Sequence, residues 1–150
     1  MRTSNHVIAS TVFSSGLYCV TKSPVISVSS FLIGIFLDID HLIDYWRQHP
    51  GSLDYYHFIE TCEKYRLQLV TLFLHSYELL LACVTLVFFT KSALLFGISL
   101  GFAQHLFFDT ITNSVNDDHS SYFFLYRWYV GFDIRKVFNT DKINGKDSNL

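Results

Sequence analysis

Four groups of ionisable residues stand at the edges of apolar stretches. His6 opens the first, Asp38-Ile39-Asp40-His41 closes the second, His75 and Glu78 lie early in the third, and His105 and Asp109 close the fourth. Imidazole with carboxylate suits transition metals, zinc first with manganese or iron as alternatives, rather than the all-oxygen shells of magnesium and calcium. Helical spacing supports pairwise action: His105 and Asp109 are i,i+4 and about 40° apart, and His75 and Glu78 are i,i+3 and about 60° apart. Asp38 and His41 share a helical side, whereas Asp38 and Asp40 are roughly 160° apart, so both aspartates can ligate only if the helix gives way there. The set exceeds what one tetrahedral ion needs. One or two ions are therefore expected, with an activated water attacking a phosphoryl or acyl centre. His75, His105 and Asp109 lead as ligands, followed by Asp38, His41 and His6. Asp40 is a ligand, a supporting group or a catalytic carboxylate, and Glu78 is a ligand or the general base.

The elements that must position these residues are helices in lipid. Half of the 150 residues are hydrophobic and 16% are charged, against about a quarter in average soluble chains. From Leu67 to Thr112 the only formal charges are Glu78, Lys91 and Asp109. Lys91 divides that run into two stretches near the ~20 residues a transmembrane helix needs. A shorter copy precedes it, turning at Thr21-Lys22-Ser23-Pro24. The expectation is an all-α integral membrane bundle in a single domain over 1–150. Its four short helices form two hairpins near 5–21, 24–44, 67–90 and 92–112, with an interfacial loop over 45–66 and a peripheral, aromatic tail over 113–150. Of the 11 basic residues, only Lys22 and Lys91 fall on the side of the short turns; the others, from Arg2 to Lys146, fall on the opposite side. The positive-inside rule then puts both termini in the cytoplasm, in an inner membrane. All four ionisable groups gather at that cytoplasmic face.

Other classes are disfavoured. Eleven basic against thirteen acidic residues lack the electrostatic footprint of a nucleic-acid binder. No nucleophile elbow, P-loop or dinucleotide fingerprint occurs. Cys19, Cys62 and Cys83 form no C-x-x-C and are expected to be buried. His49, His57 and His119 are expected at the surface, and Asp44 in solvent.

Four motifs occur in order: Asn5-His-Val-Ile-Ala-Ser10, Leu37-Asp-Ile-Asp-His41, Phe73-Leu-His-Ser76 and Gly101-Phe-Ala-Gln-His-Leu-Phe-Phe-Asp-Thr-Ile-Thr112. Over residues 5 to 112 the chain resembles the YdjM-like inner-membrane metal-dependent hydrolases, which carry an N-terminal His, P-D-x-D-H, H-R-G-x-T-H-S and H-x-x-x-D. The resemblance implies metal-site roles for His6, Asp38, Asp40, His41, His75, His105 and Asp109. Leu37 stands where that family has Pro, and Val70-Thr-Leu72 replaces H-R-G, with Glu78 as the residue to supply the lost histidine's function. The expected function is hydrolysis of a phosphoester or lipid-linked ester by metal-activated water. The competing expectation is a non-catalytic membrane metal-binding or interaction protein with a structural polar cluster.

Overall fold

A computed structural model of the chain describes residues 3–112 and 119–138. In chain order the helices are α1 (Thr3–Thr21), α2 (Pro24–Phe36), α3 (Ile39–Gln48), α4 (Tyr55–Glu63), α5 (Tyr77–Thr90), α6 (Ala93–Thr112), α7 (Phe124–Tyr129) and α8 (Ile134–Phe138). A 3₁₀ turn at His119–Tyr122 precedes α7. The described residues contain no strand, only an isolated bridge between Leu69 and Asp133, so the class is all-α. Two compact units result: Met1–Asp38 with Tyr77–Ser114, and Ile39–Ser76 with Val115–Leu150.

The first unit consists of α1, α2, α5 and α6, and its two hairpin turns are the same device used twice. Thr21-Lys22-Ser23 and Thr90-Lys91-Ser92 each place the lysine in the left-handed region, at φ 53 and 54. In each, the threonine hydroxyl accepts the serine amide. The serine hydroxyl then accepts the amide three residues on, Ile26 N–H in one and Leu95 N–H in the other, capping the next helix. The repeat extends further: His75, Lys91 and Asp109 each lie 69 positions after His6, Lys22 and Asp40.

Inside this unit the helices meet through small and polar residues. A Cβ on Gly97 would strike Ser29 and the backbone of Ile26, one on Gly101 the backbone of Ser30, and one on Gly34 the side chains of Ser10 and Gln104. Gly97-x-x-x-Gly101 thus lets α6 approach α2 closely, the small-residue packing that joins helices where burial of apolar surface offers no gain. Ser10, Ser14, Ser27, Ser29, Ser30, Ser99 and Gln104 are buried, while Val12, Val28, Leu32, Leu81, Phe88, Phe89 and Leu94 are exposed. Many hydroxyls bond back to their own helix, as Thr11 does to Val7 O, Thr85 to Leu81 O and Ser99 to Leu95 O.

Two stretches, Pro24–Gln48 and Ala93–Thr112, are long and apolar enough to cross a membrane, and Tyr77–Thr90 is apolar but shorter. The helix expected over 24–44 is broken by a turn at 37–38.

The second unit has an ordinary core of Tyr45, Leu67, Val70, Leu72, Ile134 and Val137. Here the expected boundaries need correction. The helix over 67–90 begins only at Tyr77, because the amides of 67–76 are committed elsewhere. Thr71 and Leu72 donate to Asp44 Oδ2 at 2.5 and 3.0 Å, and Leu74 donates to Asp40 Oδ2 at 2.9 Å. Leu72 is itself left-handed at φ 43, which ends any helical run. The loop over 45–66 contains the last turn of α3 and all of α4, capped by Asp54 Oδ1 accepting His57 N–H. The tail contains α7 and α8; residues 113–118 and 139–150, like Arg2, Lys142 and Lys146 of the charge count, lie outside the described residues. Cys19 is exposed and Cys62 and Cys83 are half-buried, Cys62 against the edge of the aliphatic core, so none is buried as expected.

Candidate metal centre

His6 enters from the start of α1, Asp38 from the turn after α2, and His105 and Asp109 from successive turns of α6. Their donor atoms, one per residue, lie within 4.8 Å of one another. His6 and His105 are fully buried and Asp109 nearly so, while Asp38 keeps 24% of its side chain exposed. His6 Nε2 is 3.1 Å from Asp109 Oδ1 and 4.0 Å from Asp38 Oδ2. His105 Nε2 is 3.3 Å from both Asp38 Oδ1 and Asp109 Oδ2. Tetrahedral bonds of about 2.0–2.1 Å put ligand atoms about 3.3–3.4 Å apart, the separation of His105 Nε2 from one oxygen each of Asp38 and Asp109.

The protonation pattern favours a cation. His105 Nδ1 donates to the carbonyl of Gly34 at 2.9 Å, which in a neutral ring turns the Nε2 lone pair toward two carboxylates. A backbone carbonyl orienting the remote ring nitrogen is the usual support of a metal-bound histidine. A buried carboxylate, Asp109, beside the half-buried Asp38 calls for positive charge nearby. Protonating both imidazoles would stack two cations, because the rings lie face to face at 3.9 Å and 11°. A divalent ion held by these four side chains would supply the same charge without that repulsion. The four side chains can therefore hold a metal ion.

Of the remaining expected residues, Asp40, His41 and His75 belong to the second unit and Glu78 to the first. Asp40 Oδ2 accepts His75 Nδ1–H at 3.0 Å. Asp40 Oδ1 is buried without a hydrogen-bond partner among the described residues. His41 lies edge-on to His75, ring centroids 4.9 Å apart. Glu78 is half-buried in the first turn of α5 and is not among the four converging side chains.

Several supporting residues were not singled out from the sequence. Arg127, fully buried, donates to the carbonyls of Leu72, His75 and Ser121, fastening the segment that carries His75. Asp44 is buried rather than solvated, because it accepts the two amides named above. Of the histidines expected at the surface, His119 and His57 are exposed and His49 is half-buried. His57 Nδ1 nonetheless pairs with the Tyr45 hydroxyl at 2.7 Å, and His49 stacks on Tyr45. Gly34 carried a sequence signal, as a small residue one helical turn before Asp38, matched by Gly101 one turn before His105. For Arg127 there was none. The chain matches no family model, no curated protein and no solved structure.

Proposed function

We propose that the chain is a multi-pass membrane hydrolase whose centre, held by His6, Asp38, His105 and Asp109, takes zinc or a similar divalent transition metal. The observation that carries this is the convergence of two stacked imidazoles and two carboxylates in one buried cluster, with one ring fixed by a carbonyl. The resemblance to the YdjM-like hydrolases supports it. Leu72, aligned with the Gly of that family's third motif, has φ 43, a conformation Gly takes without strain.

Membrane insertion is supported by the apolar exterior and polar interior of the first unit, the reverse of a water-soluble core. Its helices of 19, 13, 14 and 20 residues rise about 20–30 Å at 1.5 Å per residue, so the bundle sits in a locally thin bilayer or leans on flanking residues. Both termini are assigned to the cytoplasm of an inner membrane. Exposed Tyr55, Tyr56, Trp128 and Tyr129 suit the headgroup layer, and the substrate class is a phosphoester or lipid-linked ester.

When bound, the metal supplies Lewis-acid activation of water. The Gly34 carbonyl orients the His105 imidazole through its remote nitrogen. Asp38, the one exposed member, marks where substrate enters, and Glu78 is assigned the proton-accepting role. The test is metal content per chain of detergent-purified protein, with phosphoester hydrolysis measured in parallel. The wild type is expected to hold one or two equivalents, His105→Ala to lose at least one, and Glu78→Ala to keep its metal while losing turnover. Near-zero metal in all three would overturn the reading. Metal without hydrolysis of any phosphoester or lipid ester would leave a non-catalytic metal-binding protein.

A further inference from the structure

At the other end of the first unit from the metal centre, a cavity of about 510 Å³ opens between α2, α5 and α6. Its walls include Ile26, Val84, Val87 and Phe96, and its polar mouth is Lys91 and Ser92. This volume falls in the range of small-molecule sites, about 300–1,000 Å³. The walls offer an apolar ligand no hydrogen-bond partner to reject it. Lys91 is the only charged residue between Glu78 and Asp109, and its one recorded partner is the Phe88 ring, 4.3 Å from Nζ to centroid. Among the described residues it makes no ion pair. Its backbone is fixed by the turn, with Lys91 N–H bonded to Val87 O at 2.8 Å and Thr90 Oγ1 holding Ser92 N–H. A preorganised cation at the mouth of an apolar groove calls for an amphiphile with a long apolar part and an anionic head.

We propose that this groove is a binding site for one anionic phospholipid, an acyl chain lying along α5 and α6 and the phosphate on Lys91. The proposal rests on the membrane reading above but not on the hydrolase reading. About sixteen residues of α6 separate Lys91 from the cluster, roughly 24 Å of helix, so this lipid is a bound structural partner and not the substrate of the metal centre. Lys22, in the matching turn, lines no part of this cavity and serves as an internal control.

The experiment reconstitutes the full chain in phosphatidylcholine vesicles containing spin-labelled phosphatidylglycerol and measures the motionally restricted label. Beyond the boundary shell that phosphatidylcholine also fills, the wild type is expected to restrict one phosphatidylglycerol per chain, displaced by unlabelled phosphatidylglycerol at least tenfold better than by phosphatidylcholine. Lys91→Glu should abolish that preference, Val87→Trp should remove the restricted lipid by filling the groove, and Lys22→Glu should change neither. Val87 on α5 and Lys91 in the turn after it lie off the small-residue seam, and unchanged metal content in each variant shows that the bundle is intact. Equal restriction in the wild type, Lys91→Glu and Val87→Trp would overturn the site. Failure of the wild type to float with vesicles would overturn the membrane reading itself, which separates the two failures.

Discussion

The two units of this chain are built by opposite rules. The second buries Tyr45, Leu67, Val70, Leu72, Ile134 and Val137 together, so removal of apolar surface from water accounts for its cohesion. The first buries serines, glycines, a glutamine and two histidines while showing valines, leucines and phenylalanines to its surroundings. In water that exterior would be a large aggregation liability. In lipid it is neutral, and close helix contact through Gly97, Gly101 and Gly34 becomes the source of cohesion. The comparison teaches that polarity of the interior, more than apolarity of a helix, identifies the solvent a unit was built for. On the membrane reading proposed above, the first unit also holds two carboxylates and two imidazoles at its end, the charge being confined to one cluster.

The largest expected effect that would break this contrast is at Arg127. Arg127→Ala leaves three buried carbonyls without their charged donor, a loss of about 3–5 kcal/mol. Amide exchange should accelerate over 71–76 and in α8 while α6 keeps its protection; equal loss in both units would mean that they unfold as one. Next is Gly101→Ala, whose added Cβ meets the Ser30 backbone. Overpacking should cost about 1–3 kcal/mol and lower metal content, with exchange in the second unit unchanged. Leu86→Trp on the exposed face of α5 should shift stability by less than about 0.5 kcal/mol. It should add fluorescence that brominated lipid chains quench; quenching by aqueous acrylamide instead would place that face in water. The smallest effect is at Glu60, where the hydrogen bond from Lys64, then the charges of Lys64 and Arg66, hold the carboxyl below its ordinary value. Because its folded value is depressed, its contribution is present at neutral pH and is lost as pH falls through that value. The pairs are exposed, so Glu60→Gln should leave the neutral-pH melting temperature unchanged within error.

Much of the fold was legible locally. Both hairpin turns follow from Thr-Lys-Ser between apolar runs, and α6 from an unbroken stretch with a capping serine. The segment 67–76 misled because hydropathy alone reads Leu67, Val70 and Leu72 as helix, whereas partners more than twenty residues away, Asp44 and Asp40, capture its amides. The i,i+3 spacing of His75 and Glu78 does not act as a helical pairing, although Glu78 keeps its place in the proposed chemistry. Spacing is informative only inside a helix, and His75 lies before the helix that carries Glu78.

Sequence by itself determined the helical class, the two turns and the inventory of donors, because each depends on residues within one or two helical turns of one another. Only tertiary structure decided which donors meet: His6 with Asp109 across 103 residues, and His75 with Asp40 across 35. Contacts at such separations are set by how helices approach, and that is fixed here by glycines and serines, whose small size leaves almost no trace in a hydropathy pattern.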